Sequence, residues 1–482
     1  MIIFDALSNP SNYLEVFQKK SLILLFKSLF ISFVVAFSST LLGSFFAYVL
    51  TKTDLMFKNI LKATLLIPLF LSPYILTLSW VEYFSKFENG KSFIFSIWGV
   101  IFIFVLIFTP LSMLIISTGL TNINSKLEDA GVMITTYKNV ILKIILPLVK
   151  PSLISSFILV FILSLSEFSV PAFLSVNVLT TEIFTQFSAF YNYELAIINS
   201  IILIMISISL LMMDKFYISS ASFITIGVKS QNLKTTKLNY LQYPIFLIVA
   251  FYIYFSTLLP TSILIKETTP DTLYEAFIIL KPTIYNSLLY SSIASFILVV
   301  FGFIFAYMSQ RDKITAIDTI LLITFTIPST VLGIALIKFF NTPQLNFIYS
   351  SFWIIIIAYL GKFIFITQKL IQSSIKQLPL SLEESAMIVG ANFFTKIRKI
   401  VLPIISSSLI SAFLISFIFT LGELGSTLLV YPAGTSLLPI KIYTIMANAP
   451  QALVSSMALI ILLITTFVIG LLFLINRMFK CK

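Results

Sequence analysis

Long apolar runs, broken by short polar stretches, divide this chain. They fall near residues 23–50, 60–80, 93–118, 152–174, 195–213, 243–265, 284–307, 316–340, 350–371, 405–424 and 452–476. The hydrocarbon core of a bilayer takes about 20 apolar residues of helix. The pattern therefore predicts eleven membrane-spanning helices, or twelve if a further helix precedes the first. Two of the polar stretches repeat. One reads Ser125-Lys-Leu-Glu128-Asp-Ala130 and closes at Leu146-Pro147; the other reads Ser381-Leu-Glu-Glu384-Ser-Ala386 and closes at Leu402-Pro403. Ser125 and Ser381, Glu128 and Glu384, Ala130 and Ala386, and Pro147 and Pro403 all share an offset of 256 residues.

The repetition extends into the apolar runs. Lys27-Ser28-Leu29 matches Asn286-Ser287-Leu288, and Gly43 with Phe46-Ala47-Tyr48 matches Gly302 with Phe305-Ala306-Tyr307, at offset 259. Pro68 has Pro328 as its counterpart at offset 260, and Glu167 matches Glu423 at offset 256. A motif series kept at a nearly fixed spacing marks an internal duplication. Each copy holds five matched helices, and an odd number fused directly would invert the second copy. The extra helix at 243–265 restores its direction. The predicted fold is an all-α polytopic membrane protein of two parallel five-helix repeats, with domains at 1–238 and 239–482.

Charge gives the orientation. If the repeated polar segments are cytoplasmic, the stretches on their side hold 22 of the 31 Lys and Arg residues, and the loop at 175–194 carries Glu182 and Glu194 with no basic residue. Positive charge collects on the cytoplasmic side, so the C-terminus is expected inside the cell. This places the N-terminus outside, with Lys19, Lys20 and Lys27 on the less usual face. The expectation is a translocated tail, or a further helix upstream. The first segment, with Asp5 and Glu15 and a long apolar run, does not have the form of a cleaved signal peptide.

Composition narrows the function. Hydrophobic residues make up 59% of the chain and charged residues 10%, far from a soluble average. His is absent and the single Cys is Cys481, which removes intrachain disulfides and Cys/His metal clusters. The net charge of +12 is spread over short loops rather than gathered in a patch, so nucleic acid is not the expected partner; the lipid bilayer is. No catalytic constellation and no P-loop is visible: Gly361-Lys362 lacks the upstream glycine and the following Ser or Thr. The chain is read as a non-enzyme with no cofactor or metal of its own.

Ser125/Glu128 and Ser381/Glu384 each fit a capping box, Ser-x-x-Glu. Each segment is read as a capped helix between two spans that ends at its Leu-Pro, with Gly390 bending the second. The pattern Glu-x-Ala-x-x-x-Gly followed by Pro, met by Glu384, Ala386, Gly390 and Pro403, resembles the EAA loop of ABC importer permeases. Glu128, Ala130 and Pro147 match it in the first copy, with Ile134 where the family has Gly. The resemblance implies that both loops are coupling helices docking on cytoplasmic ATPase subunits, two per chain, which bind ATP and Mg. It also implies an external solute-binding protein and a place in the cell (inner) membrane. Because only the second loop keeps the glycine, changing Glu384 or Gly390 is expected to damage transport more than changing Glu128.

Fused two-repeat chains of this kind resemble ferric-iron importer permeases, with thiamine and 2-aminoethylphosphonate permeases as the alternatives. A secondary transporter with parallel halves is the competing class, but it has no need of the two loops. Glu167 and Glu423 lie 20 residues past Pro147 and Pro403. That is about 30 Å of helix, towards the external end. A pair of carboxylates there suits a cation pathway; the plainer reading is a helix-end carboxylate bonded to nearby Ser and backbone groups. Pro68, Pro73 and Pro328 fall in or near the second span of each repeat, where proline breaks a helix and opens carbonyls to a pathway or only kinks it.

Overall fold

The computed structural model describes residues 19–123, 125–217, 236 and 238–480. Residues 1–18, most of the 218–237 loop and Cys481 therefore lie outside the described residues, and with them the expectations about both chain ends. The described chain is helical, and its one β-bridge joins Thr53 to Thr236. Nine of its helices are long and apolar enough to cross a membrane. Two further helix pairs meet the same test but bend, by 93° between Lys58–Phe70 and Pro73–Ser85 and by 101° between Ala316–Thr326 and Ser329–Phe340. All eleven apolar runs thus find a helix or a bent pair, and the chain is an all-α polytopic membrane protein.

The core is built on one helix pairing that occurs twice. Lys19–Lys52 packs along Ile97–Thr121, and Pro270–Arg311 packs along Trp353–Gln377. A glycine lets each pair approach closely. A Cβ on Gly43 would stand 2.5 Å from Ser112 Cβ, and one on Gly302 would stand 3.1 Å from Thr367 Cγ2. Small residues at such crossings are how membrane helices gain packing when lipid offers no hydrophobic drive. The opposite face of Lys19–Lys52 shows Phe26, Phe30, Phe33, Phe37 and Leu41 exposed at helical spacing, a surface suited to lipid. At the start of this helix Lys20 pairs with Glu182 at 2.8 Å, so a basic residue at the end the charge count disfavours has its own counter-ion.

The same long-range bond recurs in both halves. Ser28 Oγ accepts from the Leu179 amide at 2.9 Å, and Ser287 Oγ accepts from the Leu438 amide at 2.8 Å. Contacts also revise the register. Ser112 and Thr367, which meet the paired glycines, are 255 residues apart, as are Trp98 and Trp353. The offset of 256 returns by Pro147 and Pro403. One residue is therefore gained within the second loop, and the constant spacing read from the sequence is one too large at the start of it.

Two expectations about helix ends change. Leu-Pro does not stop the helices. Five-residue π-turns at Ile141–Ile145 and Ile397–Val401 run straight into Leu146–Ser166 and Leu402–Leu421. Proline removes a donor and crowds the carbonyl four residues back; the wider turn accommodates both. The extra helix does the same at Tyr254–Leu258, ahead of Leu259-Pro260. The second change concerns the bends. Pro328 stands at one, but its geometric counterpart is Ser72, not Pro68. Leu71 and Ser72 are extended (ψ 137° and 134°) as Ile327 and Pro328 are (ψ 126° and 141°). Pro68 sits buried in the short helix Ile67–Phe70 before the bend, and Pro73 opens the helix after it.

Candidate functional site

The two loops are helices hung from the ends of the first long span of each half. In the first, Ser125–Ile134 carries Glu128, whose carboxylate accepts from the Lys52 ammonium at the end of Lys19–Lys52; both side chains are almost wholly buried. In the second, Leu380–Ile388 carries Glu383, which takes Arg311 Nε at 2.8 Å and Tyr307 Oη at 2.7 Å, with Lys396 Nζ at 3.3 Å. Lys52 and Arg311 correspond at the same offset of 259 that relates Tyr48 to Tyr307, and each is paired with a buried acid of its loop. The counterpart of Glu128 is thus Glu383. Glu384, aligned with it at offset 256, points to solvent. Burial alone would raise the Glu383 carboxyl. The Tyr307 hydroxyl and the Arg311 and Lys396 charges together outweigh that and hold it below the usual carboxylate range.

The capping box of the second loop does not form. Pro379 occupies the N-cap position without a side-chain bond, and Ser381 is already inside the helix. Ser125 is likewise the first helical residue of its loop, and Glu128 is turned to Lys52 rather than to the backbone. Gly390 ends its helix instead of bending it. At φ +82° it lets its own amide reach Met387 O at 3.0 Å and the Ala391 amide reach Ala386 O at 3.0 Å, the paired bonds of a Schellman motif. Asn392 then caps the next turn by accepting from the Thr395 amide at 2.8 Å. The first loop is one residue shorter and needs no left-handed residue. Ile134, a β-branched side chain that would resist positive φ, is its last helical residue, and Thr136 begins the next turn.

Both loops end in an exposed apolar tip. Met133 and Ile134 are each 86% exposed, and Ile388 and Val389 are 86% and 87% exposed. The two tips match at offset 255, so Ile134 corresponds to Val389. Ala130 is exposed beside one tip and Ala386 half-buried beside the other, and Pro147 and Pro403 are exposed where the helices continue. The tips went unnoticed in the sequence, although an apolar pair inside a polar loop is a readable signal.

A second constellation lies within the membrane-spanning part. Glu167 follows Leu146–Ser166 and accepts from the Ser169 amide at 3.0 Å and from the Ser169 hydroxyl. Glu423 follows Leu402–Leu421 and is buried. It accepts from the Ser426 amide at 2.9 Å, the Ser426 hydroxyl at 2.9 Å and the Thr427 amide at 3.2 Å. Each carboxylate is thus fixed by the turn that follows it, as the plainer reading expected. Lys362, within electrostatic reach of both, donates to Ile327 O at 3.1 Å, a carbonyl released by the 101° bend. The other bend reaches across the halves: Ser72 Oγ donates to Gly422 O at 3.0 Å, next to Glu423.

Lys362 falls within the apolar run at 350–371 and lies inside Trp353–Gln377, the tenth residue of 25. That is about 14 Å in from the Trp353 end. A lone lysine inside an apolar helix is itself the signal that could have found it. No group of three or more His, Cys, Asp or Glu residues able to hold a metal occurs among the described residues.

The sequence pattern described as "Binding-protein-dependent transport system inner membrane component" matches this chain twice, over residues 39–222 and 298–480. The chain belongs to that family. It is an ABC importer permease, a multi-pass inner-membrane subunit of a binding-protein-dependent transport system. The permease is 26% identical over 443 residues to the putative ferric transport system permease protein FbpB 1 of Haemophilus influenzae, covering 85% of this chain and 70% of that one. It is 24% identical over 460 residues to the Fe(3+)-transport system permease protein FbpB 2 of the same organism, covering 93% and 89%. A putative 2-aminoethylphosphonate transport system permease protein PhnV of Salmonella paratyphi A is 24% identical over 139 residues, 29% of this permease and 52% of that protein. The extra helix at 239–267 falls outside both matched segments.

Proposed function

We propose that this permease forms the translocation pathway of an ATP-driven ferric-iron importer, receiving its solute from an external binding protein. The observation that carries the mechanism is the pair of loop helices, each tied by a buried acid to the end of a long span and each offering an exposed apolar tip. Met133-Ile134 and Ile388-Val389 are the contact points for two cytoplasmic ATPase subunits, with Glu128, Ala130, Ile134, Pro147, Glu384, Ala386, Gly390 and Pro403 framing them. ATP and Mg are bound by those subunits, and this chain adds no cofactor. The two loops and the C-terminus then share the cytoplasmic side, and the halves 1–238 and 239–482 act as parallel units. A movement of either tip reaches the membrane part along two routes: the ion pair to the preceding span, and the unbroken helix through Leu-Pro.

Iron is favoured over phosphonate because the ferric relatives align over most of the chain and the phosphonate relative over 29% of it. The intramembrane charges agree in sign: two carboxylates face one ammonium. The test is a complex of the full chain with its ATPase and binding protein in proteoliposomes. Ferric uptake should require ATP and the binding protein, and Ile388→Glu should release the ATPase from an otherwise folded permease. Glu167→Gln combined with Glu423→Gln should lower uptake while the ATPase stays bound; unchanged uptake would remove these carboxylates from the pathway.

A further inference from the structure

Of the three lysines in its helix, Lys362, Lys369 and Lys376, only Lys362 is buried. Lys369 pairs with Asp318 at 2.9 Å, whereas Lys362 makes no direct ion pair among the described residues. It is buried, hydrogen-bonded to the Ile327 carbonyl, and 5.9 Å from the centre of the Phe325 ring. One carboxylate from each half acts on it. Neither carboxylate depends on it for position, because Ser169 holds Glu167 while Ser426 and Thr427 hold Glu423. The second oxygen of Glu167 accepts from no protein donor among the described residues. Close to the bend, Thr330 Oγ1 is fully buried with no hydrogen-bond partner. The first half has no such lysine: its position at offset 255 is Ile107, a buried apolar residue.

We propose that Lys362 is a tethered cation that fills the pathway's own cation site. Its ammonium stands where a metal cation in transit would lie, against the freed Ile327 carbonyl and within electrostatic reach of Glu167 and Glu423. A four-carbon stem lets it swing aside when solute arrives from the binding protein. A fixed positive charge at a constriction repels free cations, so the same group keeps the empty permease tight. Without it the two carboxylates would have no cation of the protein's own within reach, and small cations would take its place. The inference rests on the proposed reading of the solute as a metal cation.

The test uses the full chain with its ATPase in proteoliposomes that contain a Mn²⁺-sensitive dye, without ATP or binding protein. Lys362→Met should raise Mn²⁺ influx by about tenfold or more, and adding Glu167→Gln and Glu423→Gln should return it to the wild-type level. Lys362→Met as tight as wild type would overturn the proposal. Should Lys362→Met fail to assemble, Lys362→Cys in a Cys481→Ser background decides. Treatment with an aminoethyl methanethiosulfonate restores a positive charge and should close the leak, whereas the methyl reagent should not; equal behaviour of the two adducts would refute the tethered charge. Ferric uptake is not needed for this readout. A wild-type complex that fails to carry iron would remove the solute assignment while leaving the leak result to judge Lys362.

Discussion

The two halves hang the same loop helix from the same span with different chemistry. In the first half a single buried pair, Lys52 with Glu128, does it, while Tyr48 is bonded to the Tyr137 hydroxyl at 2.9 Å. In the second half Arg311, Tyr307 and Lys396 share Glu383. Two substitutions account for the difference. Phe393 stands where Tyr137 does and has no hydroxyl, so Tyr307 turns to the acid; Lys396 stands where buried Val140 does and adds a cation. A buried acid with one partner has no substitute when that partner is lost. An acid with three loses only part of its support, so the first loop is the more fragile in its hinge.

The largest effect should come from Lys52→Met. Stranding Glu128 in a dry site costs about 3–5 kcal/mol, to be seen as a fall in the melting temperature and yield of the detergent-solubilised permease. Lys52→Met with Glu128→Leu should recover most of that loss, and no recovery would mean that the pair is not what holds the loop. Arg311→Met should cost less, about 1.5–3 kcal/mol, because Tyr307 and Lys396 remain. Equal losses at Lys52 and Arg311 would erase the contrast between the halves.

Gly390→Ala should cost about 1–2 kcal/mol through its left-handed backbone. Its readout is a loss of ATPase coupling, whereas Ile134→Ala should stay within about 0.5 kcal/mol in stability. The expected ranking of Glu384 above Glu128 is sharpened in the same way. Glu384→Ala should spare stability and act only on ATPase docking, while Glu128→Gln should act on stability first. The smallest effect is one of pH. Glu383 is held below the ordinary glutamate value of about 4.3. Its contribution is complete above that value and is lost as pH falls through the depressed one. Hydrogen exchange across Leu380–Ile388 should therefore rise only at acidic pH.

Apolar run length was enough to find every span, because a bilayer demands twenty-odd apolar residues wherever a helix crosses it. Run length says nothing of direction within the run, and the 93° and 101° bends were readable only as prolines near the middle of two runs. The loops were found by their repeated acids, but the pairing of Glu128 with Glu384 failed because a one-residue gain hides in a polar segment, where either of two adjacent acids fits the letter pattern. Burial and partners separate Glu383 from Glu384; letters do not. Glu167 and Glu423 were legible as a symmetric pair. Lys362 was missed because a single lysine in the middle of the run at 350–371 does not interrupt its apolar pattern. Its meaning depends on two residues, Glu167 and Ile327, that lie far from it in sequence.

The bridge between Thr53 and Thr236 has a consequence for the order in which the molecule is made. The Lys52 carbonyl accepts from both the amide and the hydroxyl of Thr236 at 2.9 Å, and the Leu238 amide donates to Asp54 at 2.8 Å. These bonds, across 184 residues, fasten the end of the first half to the residue that anchors its own loop. Domains fold in the order of synthesis, N-terminal first. The first half can thus be clasped shut, with Lys52 already in place for Glu128, while the ribosome is still reading the second.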